Sequence, residues 1–282
     1  MDTWQKRVEV KEVNMDDYYI INEIGKGKYG TVYQALEKTS GKIIVIKKSF
    51  GDKCDNLKKE EKIMGMCHHP NILKCYGFGS IKSTLNSEEG CCLCVEYCPL
   101  GDLTKYVEKR QFKNYTLSPF EVKETFGQIF ASCSYLRKTF GIIHRDIKPE
   151  NFLVFEECPM KIKMCDFGFA TKTLKKMVHG VGSPLYAAPE IVKGMEYTEK
   201  CDLYSLGLVL YFLMTGKYPF NVNNLNELKE RFEGEEDIVF ERKEDGLDDA
   251  KDFVRNSVVF DEMKRMGWDE AENHRLLVET TK

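Results

Sequence analysis

The segment His144-Arg145-Asp146-Ile147-Lys148-Pro149-Glu150-Asn151 places a carboxylate, a lysine two residues on and an amide five residues on within one short stretch. Those groups suit transfer of a phosphoryl group to a hydroxyl. Asp146 would orient and deprotonate the attacking hydroxyl, Lys148 would offset charge on the moving phosphoryl, and Asn151 would bind a metal ion. Asp166-Phe167-Gly168 follows at loop distance and adds a second metal carboxylate, and Ala188-Pro189-Glu190 closes the segment. Any one triplet can arise by coincidence; the ordered set does not.

Upstream, Gly25-Lys26-Gly27-Lys28-Tyr29-Gly30-Thr31-Val32 follows the pattern G-x-G-x-x-G-x-V between two β-favouring runs. Glycines let the backbone approach phosphate oxygens and offer amide donors to them. A dinucleotide fingerprint would instead open a helix, so that reading loses. In the next strand Val45 and Lys47 share one face and Ile44, Ile46 and Lys48 the other. One lysine therefore points inward; spacing from Gly30 favours Lys47, with Lys48 the runner-up.

These groups need elements to hold them. Tyr19–Ile21, Thr31–Tyr33, Lys42–Phe50, Ile72–Phe78 and Cys91–Tyr97 read as strands, and Asn56–Met66 has a helical pattern. After Pro99-Leu100-Gly101 the character changes. Phe120–Lys138 repeats apolar residues near a 3.6 period, Cys201–Thr215 is apolar nearly all round, and Leu247–Leu277 reads helical. A small strand-rich lobe is expected before a larger helical one, joined near residues 97–101.

At these motifs the sequence resembles the eukaryotic protein kinase family, over about Tyr18 to Leu277. The resemblance implies an α+β two-lobe fold: a small antiparallel sheet with one helix (about 18–97), a hinge (about 96–101) and a mainly helical lobe (about 102–280), after an extension of residues 1–17. It implies ATP and Mg2+ as cofactors, and protein substrates. Glu60 matches the family's helix glutamate, ion-pair partner of Lys47, with Glu61 the less favoured choice. ATP would be bound by Ile24, Gly25, Lys26, Gly27, Lys28, Tyr29, Gly30, Thr31, Val32 and Lys47. The backbone of Glu96 and Cys98 would hold adenine, and Asp102 would lie near the ribose. Asn151 and Asp166 would hold the metal, while Ser183 and Pro184 would dock substrate. Asp202 matches the aspartate that braces the catalytic loop, and Arg265 the arginine that pairs with Glu190. Lys148 and Gly182-Ser183-Pro184-Leu185-Tyr186 resemble serine/threonine kinases, and the Asp-Phe-Gly-Phe-Ala run looks most like the autophagy-initiating, Unc-51-like branch. Val45 stands where the family usually has alanine, and Tyr204 where it has tryptophan.

The remaining composition excludes other classes. The chain has 282 residues, is 42% hydrophobic and 31% charged, and carries a formal net charge of -3. That apolar content argues against disorder, and the charge balance gives no surplus for nucleic acid or anionic lipid. The longest apolar run is far shorter than a membrane span, and the charged start is no signal peptide. Eleven cysteines read as reduced thiols, placing the protein in the cytoplasm or nucleus. Cys91, Cys92, Cys94 and Cys98 crowd together, but strand alternation keeps them from converging on a metal. His68, His69 and His274 read as structural or surface residues. The competing class is a catalytically weak, pseudokinase-like scaffold; Lys47, Asp146 and Asp166 are all present, which disfavours it.

One further expectation concerns regulation. Arg145 resembles the arginine that often receives a phosphate in this family, yet the usual acceptor position is His179 and Leu174–Gly182 holds no hydroxyl. Lys172, Lys175 and Lys176 should repel Arg145, which implies a loose loop with low basal activity, or ordering by a bound acidic activating partner or substrate.

Overall fold

The computed structural model describes residues 11–27, 30–82, 89–113, 115–173, 177, 183–220, 222, 225–233, 238–240 and 246–278. The chain forms two compact units with a boundary between Pro99 and Leu100, and Cys165–Gly168 belong to the first.

The first unit holds a six-stranded sheet and one α-helix among the described residues. Its elements are β1 (Lys11–Glu12), β2 (Tyr18–Gly27), β3 (Gly30–Glu37), β4 (Ile43–Phe50), α1 (Cys54–Met64), β5 (Cys75–Lys82) and β6 (Glu89–Glu96), with strand order β1-β5-β6-β4-β3-β2. All pairings are antiparallel except β1 with β5, which is parallel. Period-2 alternation sorts β4 and β6 cleanly. Ile44, Ile46, Cys92 and Cys94 join Val13, Tyr18 and Ala35 in one apolar cluster. Cys91 points the other way, its thiol near the carbonyl of Cys54 at the start of α1. The cysteines are thus split between the two faces of the sheet.

Residues 11–17, expected as an extension, are built into this unit. Val13 donates its amide to Phe78 and enters the cluster. A Cβ at Gly79 would sit 2.2 Å from the Val13 carbonyl oxygen, so only glycine lets that strand come so close. The strand expected over Ile72–Phe78 begins instead at Cys75, because the turn at His69–Ile72 is closed by the Ile72 amide on the His69 carbonyl.

The second unit comprises α2 (Leu103–Phe112), α3 (Pro119–Phe140), β7 (Ile142–Ile143), β8 (Phe152–Glu157), β9 (Met160–Met164), β10 (Thr171–Lys172), α4 (Pro189–Val192), α5 (Lys200–Thr215), α6 (Leu225–Glu233), α7 (Asp248–Ser257) and α8 (Trp268–Glu272). A capping box starts α3, with the Ser118 hydroxyl accepting from the Glu121 amide and the Glu121 carboxylate returning to the Ser118 amide. Its core face carries Val122, Phe126, Ile129, Phe130, Cys133 and Leu136, and Phe126 meets Phe253 of α7 edge-on at 5.0 Å. Every residue of α5 from Cys201 to Met214 is buried, as its all-round apolar sequence requires.

Two differences from expectation have local causes. Leu247–Leu277 is not one continuous helical run: α7 and α8 are separated by an irregular segment whose backbone wraps Arg265, with Val259 accepting from its Nε. The strand pairs β8–β9 and β7–β10, not anticipated, flank the loop that carries Asp146 and Asn151. Among the described residues no helix is long and apolar enough to cross a membrane.

Candidate active site

In the first unit, β2 and β3 form the glycine-rich hairpin. Gly27 pairs with Gly30 and Gly25 with Val32. Gly30 has φ +145, and a Cβ there would lie 2.0 Å from the Lys48 carbonyl oxygen, so no other residue fits. Ile24 and Lys26 are exposed, while Gly25, Thr31 and Val32 are half-buried. Lys28 and Tyr29 lie outside the described residues.

Val32 is the cross-strand partner of Lys47, and Leu93 of β6 is its partner on the other side. Strand parity turns Lys47 toward α1, where its Nζ meets Glu60 Oε1 at 2.5 Å. Lys48 takes the opposite face and lies 5.1 Å from the centre of the Tyr33 ring. Of the two lysines, Lys47 is the one paired with a buried carboxylate. Burial would lower the Lys47 pKa, but Glu60, then Cys165 and Asp166, hold it above the usual lysine value. Lys47 is a fixed cation.

Asp166 adopts a left-handed backbone, φ 62, rare for a residue with a side chain. Its Oδ1 accepts from the Gly168 amide, and Phe167 beside it is fully buried. Lys59 of α1 donates to the Gly168 carbonyl at 3.0 Å. Glu96 ends β6 with its amide on the Lys74 carbonyl and its carboxylate accepting from the Lys74 amide. Cys98 is buried.

In the second unit the loop after β7 presents Asp146, 5% exposed. Its Oδ1 accepts from the Ser183 amide at 2.8 Å, and its Oδ2 from Asn151 Nδ2 at 2.9 Å. Lys148 Nζ lies 3.0 Å from Asp146 Oδ2 and donates to the Ser183 hydroxyl at 2.5 Å. Burial alone would raise the Asp146 pKa; Lys148, Asn151 and His144 reverse that and hold it below the ordinary carboxylate value. The Asn151 amide nitrogen is also given to the Asp146 carbonyl at 2.7 Å, so a cation would meet its amide oxygen.

Asp202, fully within the interior, accepts from the amides of His144 at 2.7 Å and Arg145 at 2.9 Å. Those two bonds hold Arg145 at φ 65, a conformation costing about 1–3 kcal/mol unless its surroundings impose it. Burial raises the Asp202 pKa, and His144, the two amides and Arg145 offset that only in part. Glu190 and Arg265 form a two-pronged pair at 2.7 and 2.9 Å. Asp102 is engaged as the N-cap of α2, with Oδ1 on the Lys105 amide and Oδ2 on the Lys105 ammonium. Pro184 is exposed beside Ser183.

Each unit therefore carries a preformed set. Lys47, Glu60 and Asp166 belong to one; Asp146, Lys148, Asn151, Ser183 and Asp202 belong to the other. Asp166 in the first unit and Asn151 in the second each offer a side-chain oxygen, the donor type Mg2+ takes. Among the described residues no group of three or more His, Cys, Asp or Glu could cage a metal. The sequence reading missed Lys59 and Tyr197. Lys59 is one of several lysines on a charged helix face, and Tyr197 lies far along the chain from the arginine it meets.

Residues 18–277 match the family model described as "Protein kinase domain". Calcium-dependent protein kinase 5 of Plasmodium falciparum is 33% identical over 284 residues, covering 96% of this chain and 47% of that protein. Serine/threonine-protein kinase ATG1 of Mycosarcoma maydis is 33% identical, covering 82% of this chain and 27% of that protein. NUAK family SNF1-like kinase 1 of Homo sapiens is 31% identical, covering 93% and 38%. The chain thus spans about half or less of these curated relatives, and their similar identities single out no branch, the Unc-51-like one included. A loop braced by Asp202 through the amides of His144 and Arg145, a strand lysine paired to a helix glutamate and this match over nearly the whole chain have one common reading: the chain belongs to the protein kinase family.

Proposed function

We propose that the chain is an active, Mg2+- and ATP-dependent serine/threonine protein kinase. The observation that carries this is the Asp146 cluster: one carboxylate oriented by Ser183 and Asn151, with Lys148 beside it and beside the Ser183 hydroxyl.

In the reaction a serine or threonine oxygen attacks the γ-phosphorus. The new O–P bond forms as the bond to the β-phosphate bridging oxygen breaks, and its electron pair leaves with ADP. Asp146 is ionised at neutral pH, so it orients the hydroxyl and receives its proton. Lys148 offsets negative charge on the transferring group, and Lys47, fixed by Glu60, holds the nucleotide phosphates. Amides of the hairpin at Gly25–Val32 cover those phosphates, and the backbone at Glu96 and Cys98 receives the adenine. Mg2+, held by Asp166 and the Asn151 oxygen, would neutralise the phosphate charge when bound. The Lys148–Ser183 contact supports serine and threonine as acceptors, and Ser183 with Pro184 supports peptide docking.

The test is transfer of labelled phosphate to a peptide array, followed by identification of the phosphorylated residue. Phosphoserine and phosphothreonine are expected. Asp146→Asn should lower turnover by about 10²–10⁴-fold and leave ATP affinity nearly unchanged. Transfer by Asp146→Asn at the wild-type rate, or no transfer by the wild-type chain, overturns the reading.

A further inference from the structure

Arg145 precedes Asp146, so whatever holds its side chain helps to hold the catalytic loop. Its amide is already given to Asp202, and its guanidinium makes two further bonds. Nε donates to the Phe169 carbonyl at 2.9 Å, one residue after Gly168, and Nη1 donates to the Tyr197 hydroxyl at 2.8 Å. Tyr197 is 1% exposed. Its backbone pairs in both directions with Met177, the amide donating at 2.9 Å and the carbonyl accepting at 3.1 Å. Met177 is itself buried and belongs to the stretch between Gly168 and Ala188. The next residue, Thr198, is pinned by its amide and hydroxyl, both donating to Glu262 at 2.7 Å.

Tyr197 is therefore followed by a residue tied to Glu262, paired through its own backbone with Met177, and points its phenol at Arg145. His179 and the lysines at 175 and 176 lie outside the described residues, while Arg145 is engaged by two neutral acceptors, a carbonyl and a phenol. A neutral acceptor gives a charge-assisted hydrogen bond without requiring an added anion.

We propose that Tyr197 is a positioning residue for the phosphotransfer proposed above. Its hydroxyl takes the place on Arg145 that a phosphate on the intervening segment would otherwise fill, and activity is independent of phosphorylation there. The inference rests on the kinase reading, and the test separates the two.

Four chains are compared: wild type, Tyr197→Phe, Arg145→Met and the double variant, each by steady-state kinetics and by thermal unfolding. Tyr197→Phe removes one oxygen and keeps the ring. It should lower kcat about tenfold, from one unpaired, partly buried donor, with KM for ATP within about twofold. The double variant should be no slower than Arg145→Met, and its Tm shift should be less than the sum of the single shifts. Should Arg145→Met not fold, Arg145→Lys replaces it, since lysine cannot reach both acceptors at once. Phosphatase treatment of the wild type should leave kcat unchanged. Wild-type kcat in Tyr197→Phe, additive effects in the double variant, or phosphatase sensitivity each overturn the inference. A wild-type chain that transfers no phosphate overturns the kinase reading instead, and the additivity of the Tm shifts then decides the Arg145–Tyr197 contact alone.

Discussion

Lys59 of α1 donates to the carbonyl oxygen of Gly168 at 3.0 Å, while its neighbour Glu60 holds Lys47. Two adjacent residues of one helix thus grip two other parts of the same unit. Displacing α1 would loosen both Lys47 and Gly168, the glycine two residues after Asp166.

Lys59→Met keeps the aliphatic stem and loses the donor. A partly buried bond from a charged group is worth about 1–2 kcal/mol, so kcat should fall roughly 5- to 30-fold while the protein stays folded. Steady-state kinetics beside a circular-dichroism melt check this. An unchanged kcat would mean that the Gly168 carbonyl needs no tether.

The thiol of Cys165 adjoins Asp166 and feels the Lys47 ammonium, which favours thiolate, while burial opposes it. Burial wins: the pKa is driven well above the ordinary thiol value, with Asp166 and Glu60 adding to it. An electrophile carried by an ATP analogue should leave Cys165 unmodified, and a generic alkylating agent should label the exposed Cys158 first. Peptide mass spectrometry with and without ATP is the measurement. An ATP-protected adduct on Cys165 would show that Lys47 outweighs burial.

The sequence exposes the parts of this architecture that are periodic or local. β4 alternates, so the opposed faces of Lys47 and Lys48 follow from parity, and the buried helix at Cys201–Met214 follows from its composition. The boundary near Pro99 coincides with a change from strand-like to helical patterning. What stays hidden depends on contacts between distant residues. Arg145 meets Tyr197 across 52 positions, and no periodicity marks either one. β1 is two residues long and pairs in parallel, so its only local trace is the Gly77/Gly79 alternation in β5 that admits Val13. The C-terminal stretch has enough helical pattern to suggest continuity; the break comes from Arg265, whose bonds to Val259, Lys200 and Glu190 a helix could not supply.

That arginine is 1% exposed and its carboxylate partner Glu190 5%. Removing one member leaves a buried charge without its partner, which costs about 3–5 kcal/mol. Arg265→Met should lower the urea midpoint accordingly. Arg265→Lys should rescue little, since one ammonium cannot reproduce the fork. The double variant Glu190→Leu/Arg265→Met should recover part of the loss, because no charge is then stranded. Equal midpoints for Arg265→Met and wild type would remove the pair from the stabilising framework.

Asp146 gives the pH dependence. Burial pushes its carboxyl up, and Lys148, Asn151 and His144 bring it below the ordinary value. Its folded-state pKa is thus depressed, so the stability it contributes is present above the unfolded carboxylate value near 3.8 and is lost as pH falls through the folded value. In the wild type, protonation of Asp146 should therefore not limit kcat anywhere in the mildly acidic range. Lys148→Met removes the largest of the opposing influences and leaves burial less opposed. Beyond slowing the reaction, it should bring an acid limb of kcat into the measurable range, displaced to higher pH than in the wild type. The check is a kcat–pH profile for both proteins, with folding monitored at each pH so that acid unfolding is not mistaken for titration. Normalised profiles that superimpose would mean that Lys148 does not set the charge state of Asp146.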